Sequence, residues 1–185
     1  MKPPRLLISV KSGVPAEQRM RGLLASLPDR YDLAGWIYTD IVTVDQASMP
    51  HSHPVLTLNT AHERNETMAL AEFVHEQLHW FEEAHAADRD RAIEATRQRY
   101  LTVPSARPAG AGTETSTRLH LLVCYLEYQA LKGLLDAERA RTIITALSND
   151  HYCWVYQTVL RDEMIIADIV RQHDLVPEPL RSAAG

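Results

Sequence analysis

The chain has 185 residues and a formal net charge of −5, with 45% hydrophobic and 23% charged residues. A chain of this length can bury a substantial core, so we expect a single domain over residues 1–185. The mild acidity argues against a nucleic-acid partner, because there is no excess of Lys and Arg to neutralise phosphates. Two cysteines cannot build a disulfide framework, whereas nine histidines supply many copies of the commonest metal-ligating side chain.

No segment of the sequence predicts insertion into a membrane or passage across one. The apolar run over residues 6–10 is too short for the core of a signal peptide, and no stretch approaches the ~20 apolar residues that span a bilayer. The two cysteines also fit a reducing compartment. The sequence therefore predicts a cytoplasmic protein without a membrane partner, and it leaves the oligomeric state open.

The first sixty residues predict a small mixed α/β part. Runs rich in β-branched and aromatic residues, or alternating apolar and polar residues, predict three strands, over residues 5–10, 36–44 and 55–59. Apolar positions at helical spacing predict a helix over residues 16–27. The loop before the third strand contains two prolines and the histidines His51 and His53, which we expect at the protein surface.

The rest of the chain predicts helices. We expect five of them, over residues 62–86, 88–100, 115–135, 136–147 and 151–173. The second is polar and rich in arginine, so we expect it to be solvated. Thr60 and Glu63 have the capping-box pattern expected at the start of the first helix. Asn149 and Asp150 are the expected N-cap of the last one.

The order of elements predicts the fold class. Strands followed by helices are typical of α+β proteins, so we expect a small N-terminal sheet over residues 1–60 packed on a helical metal-binding part over residues 61–175. Residues 101–112 contain prolines and glycines and predict a flexible loop. Residues 176–185 predict a flexible tail.

The first long helix carries the motif His75-Glu76-Gln77-Leu78-His79, an H-E-x-x-H pattern. Residues i and i+4 lie on one face of a helix, so both imidazoles can reach one metal ion. Glu76 lies about 100° round the helix from His75, where its carboxylate can act as a base toward a metal-bound water without binding the metal. An apolar stripe on the same helix predicts its packing face: Leu70, Phe73, Val74, Leu78 and Phe81.

This motif resembles that of the zincin metallopeptidases. The likeness rests on residues 55–85, with weaker support up to residue 156. It implies a zincin-like fold in which His75 and His79 bind Zn²⁺ and Glu76 activates water. It also implies that a sheet edge, here the strand over residues 55–59, aligns an extended peptide substrate above the active-site helix.

A catalytic zinc ion needs a third protein ligand and an open position for water. In the metzincin pattern this ligand would be His85, but Glu82 stands where a glycine turns the chain, so we expect the helix to continue and His85 to face away. Glu82 itself is expected to be solvated or to support the ligands. In the gluzincin pattern the ligand is a glutamate on a later helix. Glu127 fits that pattern, because a carboxylate in an apolar helix is costly unless it is paired or metal-bound. His120, on the same helix face, is the remaining alternative.

The predicted site also needs residues that orient the zinc ligands and a residue that donates to the oxyanion. Gluzincins often have an acidic residue four positions after the ligand glutamate, where it orients a histidine, but this chain has Leu131 there. We therefore expect Glu72 or Glu114 to orient the zinc ligands instead. A donor to the developing oxyanion is expected from His120 or from the aromatic segment over residues 151–156, in which Tyr152 and Tyr156 share a helix face and Tyr156 is the chosen candidate.

These features predict a zinc-dependent hydrolase of peptidase type that acts on a peptide or protein substrate. His75, His79 and Glu127 would hold Zn²⁺, Glu76 would take the proton of the attacking water, and the loop over residues 101–112 would act as a lid. Two alternatives remain open. Two histidines and a carboxylate also describe a non-haem Fe(II) enzyme, although such sites are usually built on β-barrels. The chain could instead be a non-catalytic zincin-like module that binds metal.

Overall fold

The computed structural model describes residues 5–182, and these residues form two compact units, one ending at Phe81 and the other beginning at Glu82. The described part of the chain is mixed and mostly helical, with eight helices and one sheet of three parallel strands. The mixed class, with one small sheet and mostly helices, confirms the coarse part of the predicted fold. Within residues 5–182 no helix is both long enough and apolar enough to cross a membrane.

The first unit is built on the sheet. Its strands are β1 (Leu7–Val10), β2 (Ile41–Val44) and β3 (Leu56–Leu58), in the order β1-β2-β3. Helix α1 (Pro15–Arg30) links β1 to β2, because parallel neighbours need a crossover connection, and it packs on both strands. Helix α2 (Glu66–Ala84) follows β3. The core of the unit includes the fully buried Met20, Leu24, Leu27, Val42, Val44, Leu56 and Leu58.

The second strand is shorter than predicted, because a side chain takes over the backbone hydrogen bonds of its expected first half. The side-chain oxygen of Gln77 accepts from the backbone N–H groups of Tyr38 (2.7 Å) and Thr39 (2.9 Å). The amide nitrogen of Gln77 donates to the carbonyl of Thr39 (2.8 Å). Trp36 is buried in a turn, and regular pairing begins only at Ile41.

Helix α2 begins at Glu66, so the predicted start near residue 62 and its capping box are wrong. The box would need the Glu63 carboxylate at the helix terminus, but that carboxylate pairs with Arg19 at 2.8 Å. Residues 60–64 form turns instead. The side chain of Asn65 accepts from a backbone N–H of the first helical turn, which is the usual role of an asparagine N-cap.

The second unit is an array of helices around α4. After the last residues of α2 its helices are α3 (Ala86–Arg99), α4 (Glu114–Leu134), α5 (Ala137–Leu147), α6 (Cys153–Arg161), α7 (Glu163–Gln172) and α8 (Glu178–Ser182). Helix α4 packs against α3, α5, α6 and α7. The predicted helices over residues 88–100, 115–135 and 136–147 are confirmed within two residues at each end.

The helix predicted over residues 151–173 is two helices. Helix α6 ends at Arg161, and Asp162 leaves helical geometry before α7 begins. The carboxylate of Asp162 accepts hydrogen bonds from Arg161 (2.9 Å) and from the hydroxyl of Tyr100 (3.2 Å). The bond from Arg161 holds the pKa of Asp162 below its usual range against the opposing effect of burial. This fixed carboxylate stabilises a break that periodicity does not reveal.

Two further terminal predictions are wrong. Helix α6 starts after Tyr152, whose backbone is left-handed (φ 48°), so Asn149 and Asp150 are not its N-cap. Residues 178–182 of the predicted flexible tail form α8. The last three residues of that tail, 183–185, lie outside the described residues.

Residues 101–112 contain no helix or strand, as predicted, but hydrogen bonds hold them in place. The N–H of Gly110 donates to Ala106 O (2.7 Å), and that of Gly112 donates to Ser105 O (2.7 Å). Thr117 of α4 joins the loop at two points, accepting from Ala111 N and donating to the carbonyl of Pro104. The loop is therefore a fixed packing element in this conformation.

Candidate metal centre

The H-E-x-x-H motif lies in the middle of α2, on the part of the helix that belongs to the first unit. The rings of His75 and His79 have centroids 5.1 Å apart and are nearly perpendicular, at 71°. This places both imidazoles on one face of the helix, as the spacing predicts. His75 is 8% exposed and Glu76 is 7% exposed, while His79 is half-buried. Two nitrogen donors and a carboxylate are thus held on a rigid element.

The rotation of α2 about its axis is set by residues between and beside the two histidines. Leu70, Phe73, Val74 and Leu78 are fully buried and Phe81 nearly so, which confirms the predicted apolar stripe. Gln77, inside the motif, is also fully buried, and its amide binds the backbone of residues 38 and 39. A helix fixed by both apolar packing and a buried amide has little freedom to turn its histidines.

The loop before β3 also packs against the motif helix, which the sequence did not predict. The ring of His53 stacks on Trp80, with centroids 4.2 Å apart and planes at 26°. The indole N–H of Trp80 donates to the carbonyl of Ser52 (3.0 Å). Both loop histidines were expected at the protein surface. His51 is exposed, whereas His53 is half-buried. The one sequence signal for this contact is a tryptophan directly after the second motif histidine.

The edge of β3 is partly occupied. His51 and Thr57 form an isolated antiparallel bridge, in which Thr57 N donates to His51 O (2.8 Å) and His51 N donates to Thr57 O (3.0 Å). The predicted pairing of a substrate with residues 55–59 therefore meets backbone groups that the chain already uses at Thr57.

Helix α4, in the second unit, carries the predicted third ligands. His120 is 9% exposed, Cys124 is fully buried and Glu127 is 1% exposed. Their spacing of four and three residues places them along one buried stripe of the helix. The sequence prediction that Glu127 is buried in an apolar helix is confirmed.

A tyrosine from α6 reaches this stripe. The hydroxyl of Tyr156 donates to Oε2 of Glu127 at 3.0 Å, and the tyrosine is 1% exposed. Burial, followed by the charges of Cys124 and Glu127, raises the pKa of Tyr156 well above its usual range, so the phenol keeps its proton. A hydroxyl that is buried and already committed to Glu127 favours a role in holding that carboxylate over the predicted role of oxyanion donor.

The tautomer of His120 follows from its hydrogen bond. Its Nδ1 lies 2.7 Å from the carbonyl oxygen of Ser116, and a carbonyl can only accept, so Nδ1 carries a proton. In the neutral ring Nε2 then has a lone pair, which is the arrangement found in metal-ligating histidines. The ring centroid of His120 also lies 4.4 Å from that of Tyr152, and the ring of His151 lies 4.9 Å from the same tyrosine.

The remaining predicted residues are placed elsewhere. Glu114 pairs with Arg118 at 3.0 Å and its side chain is 60% exposed, so it does not orient a buried ligand. Glu72 lies one turn before His75 on α2. Glu82 is not solvated: it is 6% exposed and pairs with Arg89 at 2.9 Å. The chain leaves helical geometry at His85 (φ −115°, ψ 39°), so the prediction that the helix continues through His85 is wrong.

The available donors fit a zinc ion. Zinc in proteins is bound by imidazole nitrogen, carboxylate oxygen and thiolate sulfur. Burial and then the charge of Glu127 raise the pKa of the Cys124 thiol well above its usual range, so its sulfur keeps its proton. The buried carboxylate of Glu127 is the group whose burial a cation would offset. The described residues therefore include the donor types that zinc takes in proteins.

Comparisons of the chain with models of protein families, with curated proteins and with solved structures found no match. The likeness to zincins consequently rests on the motif and its surroundings.

Proposed function

We propose that this chain is a zinc-dependent hydrolase of peptidase type that acts on a peptide or amide carbonyl. The observation that carries the proposal is the pair of motif histidines on one face of α2, 5.1 Å apart between ring centroids, with the buried Glu76 next to the first of them. The zinc ligands would be His75, His79 and Glu127. Such a set leaves a fourth position for water, which distinguishes a catalytic site from a structural one.

The choice of the third ligand is supported by the donors that the chain offers. Groupings of His, Cys and Glu side chains among the described residues could hold a metal ion. Glu127 is the stronger candidate for the third ligand, because the residue is 1% exposed in an apolar helix and a buried charge is costly unless it is paired or metal-bound. His120 is the alternative, because its Nδ1 donates to the Ser116 carbonyl and the neutral ring then keeps the lone pair of Nε2.

When bound, zinc would lower the pKa of a water molecule toward ~7 and polarise the carbonyl of the substrate. The residues of the chain would do the rest. The Glu76 carboxylate, free of metal coordination, would accept the proton of the attacking water and return it to the leaving amine. His120 would be available as a donor to the developing oxyanion in its doubly protonated form, because Nδ1 is already committed to Ser116.

The substrate would lie extended against the sheet edge of the first unit. Backbone pairing at an exposed edge gives affinity that depends little on side chains. Thr57 is already paired with His51, so the substrate would pair outside this bridge, along the segment that contains His51. Oligopeptides are thus a better class of test substrate than small amides.

The test compares the wild type with Glu76→Gln, each loaded with zinc and incubated with a mixture of oligopeptides. We expect the variant to retain one equivalent of zinc by elemental analysis and to lose about 10²- to 10⁴-fold in hydrolysis rate, the usual contribution of a general base. Glu94→Gln, the same change at an exposed position on α3, serves as the control and should keep full activity.

Full activity in the Glu76→Gln variant would refute the proposed role of Glu76. A wild type that binds zinc and cleaves none of the peptides would favour the non-catalytic module. Iron in the purified protein, together with dioxygen-dependent chemistry, would favour the non-haem Fe(II) enzyme instead.

A further inference from the structure

The second unit contains a buried hydrogen bond between two helices that the proposed chemistry does not use directly. Tyr156 of α6 donates its hydroxyl to Oε2 of Glu127 on α4, at 3.0 Å, and both residues are 1% exposed. The thiol of Cys124, one turn before Glu127, interacts with the same hydroxyl. A tyrosine hydroxyl at full burial needs such a partner, so the bond fixes both side chains.

The bond restricts the orientation of the Glu127 carboxylate. Oε2 accepts the phenolic proton, so this oxygen has a fixed partner on α6. A neutral donor suits this task, because it orients the carboxylate without cancelling the negative charge that a cation needs.

The position of Tyr156 is in turn set by the loop over residues 101–112. The N–H groups of Cys153 and Trp154, in the first turn of α6, donate to the carbonyls of Pro108 (2.9 Å) and Ala109 (3.1 Å). These bonds satisfy N–H groups that have no partner within the helix. They anchor the start of α6 one turn before Tyr156. The loop thereby has a structural task that differs from that of a mobile lid.

We propose that Tyr156 is a positioning residue that orients the Glu127 carboxylate as a metal ligand. This inference rests on the proposed function, since it assumes that Glu127 binds the metal. It assigns to Tyr156 a role in metal affinity and in the geometry of the carboxylate, and it removes Tyr156 from contact with the substrate.

The test is the zinc affinity of Tyr156→Phe, measured by competition with a chromophoric chelator on the full chain. We expect affinity to fall about 10- to 100-fold, the usual cost of losing a hydrogen bond to a metal ligand. The Co²⁺-substituted variant should also show a shifted visible absorption spectrum, because the freed carboxylate can bind through both oxygens. Tyr125→Phe, the same change at a buried tyrosine on α4, is the control and should alter neither readout.

A double-variant cycle adds a readout that loss of structure would not mimic. If Tyr156 acts through Glu127, then Tyr156→Phe should change zinc affinity less than twofold in the Glu127→Gln background. The inference would be overturned if Tyr156→Phe bound zinc as tightly as the wild type. It would also be overturned if Tyr156→Phe lowered zinc affinity as much in the Glu127→Gln background as in the wild type. Neither result would contradict the proposed hydrolase. A wild type that binds no zinc would overturn both.

If Tyr156→Phe does not fold, a measurement on the wild type can still test the inference. The infrared difference spectrum between zinc-loaded and metal-free protein, with and without isotope-labelled tyrosine, should show a shift of a tyrosine C–O band. A tyrosine spectrum that zinc leaves unchanged would overturn the inference. A protein that binds zinc and shows the shift but cleaves no peptide would refute only the hydrolase.

Discussion

Buried carboxylates show at the scale of single residues how this chain stabilises charge away from water. Glu17 is fully buried at the start of α1. Its oxygens accept from the backbone N–H groups of Ser12 (2.8 Å), Gly13 (2.8 Å) and Gln46 (3.1 Å). Burial alone would raise the pKa of Glu17, but these bonds outweigh it and hold the pKa below its ordinary value of 4.5. The carboxylate thus ties the turn after β1 to the turn after β2.

The lowered pKa of Glu17 makes a prediction about acid stability. The unfolded chain binds a proton near pH 4.5 and the folded chain only at lower pH, so the stability that Glu17 contributes is complete above pH 4.5. It is lost as the pH falls through the folded value. In Glu17→Gln this loss is absent, so the stability difference between wild type and variant should shrink from pH 7 to pH 3.

Urea unfolding at pH 7, 4.5 and 3 measures this difference directly. The pH-dependence that other carboxylates contribute is common to both proteins and cancels in the comparison. A difference between wild type and Glu17→Gln that stays constant over the whole range would contradict the assignment.

At the scale of elements, side chains and loops determine how the helices of the second unit meet. The Arg118 guanidinium, 1% exposed on α4, donates to the carbonyls of Thr96 (2.9 Å) and Tyr100 (3.0 Å) at the end of α3. The Thr96 carbonyl also accepts from Tyr100 N (2.8 Å), so the buried cation adds a hydrogen bond at each carbonyl and interacts favourably with the negative end of the helix dipole. The loop over residues 101–112 connects the same two helices, and within it Gly110 lies close to the carbonyl of Pro104 and the hydroxyl of Thr117.

Substitution of two glycines should change stability in opposite directions. A Cβ at Gly110 would lie 2.1 Å from the carbonyl oxygen of Pro104, so Gly110→Ala must displace backbone and should cost about 1–3 kcal/mol. A Cβ at Gly133, in the last turn of α4, meets nothing within 4 Å. Gly133→Ala should therefore stabilise the protein by up to about 1 kcal/mol, because alanine loses less backbone entropy in a helix.

Chemical denaturation of the two variants beside the wild type gives both values. Gly133→Ala is the matched control, since it is the same chemical change in a site without a steric neighbour. A Gly110→Ala variant as stable as the wild type would mean that the loop adapts easily and is not the fixed element described above.

The elements also show which parts of the structure the sequence can predict. The apolar stripe of α2, the motif histidines and the buried Glu127 depend on spacing within one helix, so periodicity predicts them. The late start of β2 and the break at Asp162 depend on Gln77 and Tyr100, which are distant in sequence. The bond from Tyr156 to Glu127 and the stacking of His53 on Trp80 are equally non-local. Such contacts need the tertiary structure, and no local pattern indicates them.

At the scale of the whole molecule, the mixed class and the order of its elements were predictable from the sequence, whereas the protein family was not. A motif of five residues constrains one helix and its ligands, while the fold of a chain depends on contacts throughout its length. No relative was found that could supply those contacts by analogy. The function therefore has to be tested through the chemistry of the motif itself.

Zinc should stabilise the folded protein as a whole, because the unfolded chain does not hold the proposed ligands together. A ligand at 100 times its Kd adds about 2.7 kcal/mol to the free energy of unfolding. For a chain of this size each kcal/mol raises Tm by about 2–4 °C, so zinc addition should raise Tm by roughly 5–11 °C over the chelator-treated protein. Differential scanning calorimetry with and without zinc measures the shift.

The same experiment on two histidine variants separates the motif from nonspecific binding. His79→Ala removes one proposed ligand and should abolish most of the zinc-dependent rise in Tm. His173→Ala removes a half-buried histidine at the end of α7 and should preserve the rise in full. An equal response of the two variants would place zinc elsewhere on the protein, because only the motif histidine shares a helix face with His75. A rise that requires His79 but not His173 would tie the stability of the fold to the motif on α2.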